Sequence, residues 1–271
     1  MNRHDGHIHT PYCPHGSRDS LKSYVENAVF QGFAAISFME HAPLPESFND
    51  PAPTKDSAMT LHSLDNYLQD CERIKEEYQE HIKILTGLEV DYIAGYENET
   101  ATFLNQWGPR LDDSILSVHF LTLDSRSYSC IDYSKDTFQT FLTEAGSLEK
   151  VYQCYYNTLI QAASADLGAY KPARLGHMTL IRKFQNAFPR KFSDTAMIEN
   201  VLETVENHGM SLDINGAGLY KPDCREVYPP KYVVETAKKR GIQLVYGSDA
   251  HTATAVGQGS GVISPWIHSD L

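Results

Sequence analysis

Seven short apolar runs, each followed by a stretch of helical character, set the narrowest limit on what this chain can fold into. The first is the opening stretch around Asp5-Gly6-His7-Ile8-His9; the others cover residues 33–38, 82–90, 114–120, 173–177, 210–215 and 242–247. Runs of this kind suit strands covered on both faces, and parallel pairing needs a helical crossover between successive strands. Six of the seven carry His, Glu or Asp at or just past the C-terminal end, as in Met39-Glu40-His41, Glu89, His119, His177 and Ser248-Asp249-Ala250-His251. An open doubly wound sheet would spread those groups along an edge, whereas a barrel gathers them at one mouth. The expected fold is therefore α/β, a distorted (β/α)7 TIM-like barrel, one domain over residues 1–271.

The connecting stretches agree with that reading. Ser17 and Asp19 can cap a helix over 20–30 that Gly32 closes, and further helices are expected over 63–80, 98–106, 147–166 and 193–207. Pro229 and Pro230 open a last one that ends at Gly241. Between residues 42 and 60 the chain is rich in Pro, Asp and Ser, and Pro43, Pro45, Pro51 and Pro53 prevent regular structure, so a flap over the site is expected there. Residues 121–141 show no usable period and read as loop and helix fragments.

Composition excludes some functions. A formal charge of −12 with no basic run repels a phosphate backbone, which argues against a nucleic-acid partner. No stretch approaches the roughly twenty apolar residues of a membrane span, and the start has no apolar signal core, so no membrane partner and a cytoplasmic location are expected. Five scattered cysteines without a CxxC pair suit reduced thiols, and Cys13, although between His9 and His15, reads as a bystander.

The histidines point to metal. On a strand, His7 and His9 turn both imidazoles to one side, as two nitrogen ligands of one ion must, although an isolated pair of this spacing is more readily explained by hydrogen bonding. Of twelve histidines, seven (His7, His9, His15, His41, His119, His177 and His251) sit at strand ends or in the loop after the first strand. Independent core histidines would not track strand ends in this way.

The ordered set from His7-Ile8-His9 through His15, Glu40-His41, Gly87-Leu88-Glu89, Ser117-Val118-His119 and Gly176-His177 to Asp249-Ala250-His251 resembles the polymerase and histidinol phosphatase (PHP) family, and within it the histidinol-phosphate phosphatase branch. The resemblance spans nearly the whole chain. It implies a centre of three divalent transition-metal ions, Zn, Mn or Fe. His7, His9, Glu89 and Asp249 would hold the first, Glu89, His119 and His177 the second, and His15, His41 and His251 the third. Asp249, His251 and Glu89 are then the candidate catalytic residues.

Three such ions less two carboxylates leave a site of about +4, suited to a phosphate monoester dianion. Water shared between two ions loses a proton near neutral pH and can attack phosphorus in line, and Asp249 or a water it orders is the candidate donor to the leaving alkoxide. Asp5 and Asp213 read either as groups that orient the histidines or as turn and core carboxylates. For phosphate the candidates are Arg182, Lys221 and Arg225, while Arg174 is expected to point away from the mouth. Where Thr179 and Tyr220 stand the family usually carries Asp and often Arg. The reaction implied is hydrolysis of L-histidinol phosphate, with a small phosphorylated substrate as the partner. Another small ester or a phosphotyrosine is one alternative, and a metal-binding module without turnover is another. Oligomeric state has no signal in the sequence.

Overall fold

A computed structural model describes residues 3–268, so Met1, Asn2 and the last three residues of the expected 1–271 unit lie outside the described residues. The chain runs through β1 (His4–Ile8), α1 (Leu21–Phe30), β2 (Ala35–His41), α2 (Leu61–Tyr78), β3 (Lys83–Asp91), α3 (Glu97–Trp107) and β4 (Asp113–Ser117). It continues through β5 (Phe120–Thr122), β6 (Tyr128–Cys130), α4 (Lys135–Ala145), α5 (Leu148–Ser164), β7 (Arg174–Leu175), α6 (Thr195–Asn207), β8 (Ser211–Asn215), α7 (Lys231–Lys239), β9 (Leu244–Gly247) and α8 (Ser260–His268).

Seven strands form one parallel sheet in the order β1-β2-β3-β4-β7-β8-β9. Its two ends meet. Ile8 bridges Ala250 in parallel, the Asp249 amide donates to the His7 carbonyl at 2.7 Å, and the His9 amide donates to the Ala250 carbonyl at 2.9 Å. The result is a near-closed seven-stranded barrel whose strand C-termini share one mouth.

Local chemistry accounts for the helices. Hydroxyl oxygens of Ser20, Thr60, Ser134 and Ser147 accept backbone N–H bonds at the starts of α1, α2, α4 and α5. Ser17 and Asp19 are not the cap of α1. The Ser17 hydroxyl donates to Asp19, and Asp19 accepts from the Ala253 amide at 2.9 Å, which ties the turn after β1 to the loop after β9. On α2, Leu64, Tyr67, Leu68, Cys71 and Ile74 form the buried stripe, and the Tyr67 hydroxyl donates to the Gly87 carbonyl at 2.7 Å beneath the site.

Three segments differ from expectation. Residues 121–141 hold the antiparallel β5–β6 hairpin and most of α4; three-residue strands in a Tyr/Ser-rich stretch are too short to show a period. The fifth barrel strand, β7, is only two residues long. The closing α8 contains Pro265, which masks its helical pattern. The segment 42–60 has no helix or strand, as expected, and brings Asp56 and Ser57 to the mouth.

Candidate metal centre

Glu89 is the hub. In-register pairing of β2 with β3 sets His41 beside Glu89. Around the carboxylate, Oε2 lies 3.4 Å from His7 Nε2, 3.5 Å from His9 Nε2 and 3.2 Å from His41 Nδ1. Oε1 lies 2.8 Å from His177 Nε2 and 3.8 Å from His119 Nε2, and accepts the Ser117 hydroxyl at 2.6 Å. Five histidines from four strand ends thus face one carboxylate that is 1% exposed.

Donor atoms within 4.8 Å of one another form the groups His7–His9–Glu89, Glu89–His119–His177, His41–Asp91–His119 and His9–Cys13–His41–His251. The first two reproduce most of two expected ligand sets, with Asp249 Oδ1 3.1 Å from His9 Nε2 and 3.9 Å from His7 Nε2. The last differs from the expected third set, because it contains Cys13 and His9 and lacks His15. His15 stands nearby, its ring 5.1 Å from those of His41 and His251.

Most of the imidazoles are held on one nitrogen and free on the other. His7 Nδ1 meets Asp213 Oδ2 at 3.0 Å, His9 Nδ1 meets Glu40 Oε1 at 3.3 Å, and His119 Nδ1 meets Asp91 Oδ1 at 2.7 Å. His15 and His251 bond the carbonyls of Asp56 and Asp249 through Nδ1 at 2.9 and 3.1 Å. Fixing one nitrogen in this way aims the other and settles the tautomer. Asp5 touches no histidine side chain: it accepts from the Ser248 and Gly257 amides at 2.8 and 3.0 Å and braces the backbone instead. Sequence reading did not single out Glu40 or Asp91 for these roles.

Two backbone features serve the site. A Cβ on Gly247 would come within 2.5 Å of His7 Cβ and would overlap the Asp213 carboxylate, so only glycine allows that pair to form. Asp249 has φ +53°, a left-handed conformation that turns its carboxylate back toward His7 and His9, and Asn215 Nδ2 donates to its Oδ2 at 3.2 Å.

Burial opposes ionisation of Glu89 and Asp249, yet the surrounding imidazoles, His7 first, hold both well below the usual carboxylate range. Burial likewise opposes protonation of His9, but Asp249 and Glu40 lift it to about 9; Asp91 lifts His119 to about 10, and Glu89 with Asp213 holds His7 well above its ordinary value. His41 and His251 are pushed well below theirs by burial and by the His9 charge.

The side chains themselves fit a metal here. Among the described residues, His7 Nε2, His9 Nε2, His41 Nδ1 and His177 Nδ1 are buried without a hydrogen-bond partner. Three of these four face ionised carboxylates, the arrangement that a cation bound between them satisfies.

Above the histidines opens a cavity of about 470 Å³, walled also by Asp132, Tyr133, Lys183, Lys221 and Tyr228. Of the three cations expected to meet phosphate, only Lys221 lies in this wall. Arg182 is a correction: it is 2% exposed and bonded to both Asp194 oxygens, to Glu226 at 2.9 Å and to the Tyr232 hydroxyl at 2.8 Å, so its guanidinium is taken up inside the fold. Arg225 is exposed, outside the wall. Arg174 pairs with Asp113 at the opposite end of the strands, away from the mouth. Lys183, which was not singled out, enters the cavity and pairs with Asp132 at 2.9 Å. The charge of about +4 is also revised downward, because Glu40, Asp91, Asp132 and Asp213 line or abut the centre as well.

Comparison with known proteins gives a consistent picture. The profile of the PHP domain matches residues 5–217. The histidinol-phosphatase of Bacillus subtilis is 49% identical over 259 residues, covering 95% of this chain and 96% of that one. The crystal structure of a proposed histidinol phosphatase from Listeria monocytogenes superposes with a TM-score of 0.90 at 36% identity, over 96% of this chain and 99% of the other. The histidinol phosphate phosphatase of Lactococcus lactis, solved with zinc, L-histidinol and phosphate, shares the fold at a TM-score of 0.71 and 17% identity, over 100% and 95% of the two chains.

Proposed function

The chain belongs to the PHP domain family, and from that premise we infer that it is a metal-dependent phosphomonoesterase that hydrolyses L-histidinol phosphate to L-histidinol and phosphate. The observation that carries the reading is the relation to the Bacillus subtilis histidinol-phosphatase, which covers 95% of this chain and 96% of that one at 49% identity. The nine-residue donor set at one barrel mouth gives that relation its chemistry.

Three divalent ions, with zinc the first candidate, would be held by the sets around His7, His9, Glu89 and Asp249, around Glu89, His119 and His177, and around His15, His41 and His251. Cys13 lies among the donors of the last. When bound, the ions supply acidity to a water and positive charge to the phosphoryl oxygens.

The chain's own groups do the rest. Glu89 Oε1 and Oε2 face separate sets of imidazoles, so this one carboxylate could serve two ions. Ser117 fixes its rotation. Asp213, Glu40 and Asp91 hold His7, His9 and His119 in the tautomer that presents Nε2 to the centre. As a metal ligand Asp249 would be ionised, so the proton for the leaving alkoxide would come from a water ordered by Asp249 and His251 rather than from the Asp249 carboxyl itself.

Under the same reading the enzyme serves histidine biosynthesis in the cytoplasm. Its five cysteines are free, and no helix among the described residues is long and apolar enough to cross a membrane. The test is phosphate release from a panel of monoesters. L-Histidinol phosphate is expected to exceed aryl phosphates in kcat/KM by about a hundredfold, the scale that a few polar contacts supply; equal rates would leave a general phosphatase.

A further inference from the structure

The cavity wall holds one ion pair that is not saturated. Asp132 lies just past β6, where the Ile131 amide donates to the His119 carbonyl at 3.0 Å and so fixes the turn beside the metal ligands. Lys183 comes from the turn over Leu180–Phe184, which follows His177. Nζ and Oδ2 meet at 2.9 Å, with the two side chains 20% and 19% exposed toward the cavity. Among the described residues the other hydrogen bond to Asp132 is the Cys130 thiol at 3.4 Å, and Lys183 donates to Asp132 alone. Arg182, one residue earlier in the same turn, shows what a purely structural cation looks like here: all three of its nitrogens donate within the fold, to Asp194, Glu226 and Tyr232.

An unsaturated pair of opposite charges in a binding cavity is complementary to a ligand that carries both charges itself. In L-histidinol phosphate the ammonium sits on the carbon next to the one that bears the phosphate oxygen, so its two charges are held close together. We propose that Asp132 and Lys183 read this feature, Asp132 accepting the substrate ammonium and Lys183 donating to the phosphate, with the substrate exchanging places with their mutual contact. The inference rests on the reading of the substrate given above and makes Asp132 the residue that selects for a 2-amino ester.

The test compares L-histidinol phosphate with its des-amino analogue, 3-(imidazol-4-yl)propyl phosphate, on the metal-loaded enzyme. Asp132→Asn is expected to lower kcat/KM for L-histidinol phosphate about 10- to 100-fold, the worth of one charge-assisted hydrogen bond, mainly through KM, and to reduce the preference for the aminated ester by the same factor. Asp132→Glu, which keeps the charge, restores part of that preference, and Lys183→Met lowers both esters together. Thermal midpoints of the three variants identify any that fail to fold. An Asp132→Asn enzyme that retains the wild-type preference, or that loses both esters equally, overturns the inference while leaving the substrate reading intact. A wild type that hydrolyses neither ester overturns the substrate reading and the inference with it.

Discussion

His7 Nδ1 and Asp213 Oδ2 are bonded at 3.0 Å across the barrel seam, in space that exists only because residue 247 has no side chain. Both groups are fully buried, and this contact sets the direction of His7 Nε2 toward Glu89. Replacing Asp213 by Ala is expected to weaken metal binding or turnover about 10- to 100-fold, the usual cost of losing a partner behind a ligating histidine. Gly247→Ala should do the same without touching either residue. Metal titration of the two variants checks this, and an unchanged affinity in both would show that His7 needs no such support.

The site was legible in the sequence where strand geometry controls it, and illegible where partnership across the chain does. His7, His9, His41, Glu89, His119 and His177 follow from the rule that parallel strands deliver their C-terminal ends to one mouth. Arg182 and Lys183 show the limit. Both are cations in the turn after His177, and of the two only Arg182 stands among the phosphate candidates; but in a tight turn adjacent side chains diverge, and Asp194, twelve residues on, captures the arginine. The supporting roles of Glu40 and Asp91 escaped notice because they depend on which imidazole lies across the strand gap, which spacing along one strand does not reveal.

Arg182 therefore predicts a loss of stability rather than a loss of substrate grip. Burial works against the Asp194 charge, but hydrogen bonds from Arg182 hold its carboxyl below the usual range. A carboxylate with a depressed value contributes stability that is complete above the unfolded-state value and is lost as pH falls through the folded one. Arg182→Met is expected to cost about 3–5 kcal/mol near neutral pH, with the gap to wild type narrowing below about pH 4. Denaturant unfolding at pH 7 and pH 3, with KM measured at pH 7, checks this. A several-fold rise in KM without loss of stability would return Arg182 to the phosphate.

Metal loading should release protons. In the metal-free centre His9 and His119 hold theirs up to about 9 and 10, and His7 also lies well above its ordinary value, so all three are charged at pH 7 and must become neutral to ligate. Apparent affinity therefore falls as pH drops and rises toward alkaline pH, and loading at pH 7 is expected to release about two to three protons per chain. Calorimetry in two buffers of different ionisation heat counts them. Loading without proton release would contradict the proposed charge state.

Central to the account is one carboxylate, Glu89, shared between ions in a centre that holds more than two of them. The most direct measurement is elemental analysis with turnover of L-histidinol phosphate, made side by side on the wild type, Glu89→Gln and His41→Ala after metal is added back. The account predicts more than two ions per chain in the active wild type, two weakened together and turnover abolished in Glu89→Gln, and a single ion chiefly weakened in His41→Ala. An active wild type with one ion or none, or a Glu89→Gln enzyme that keeps the full complement and near-normal turnover, would contradict it.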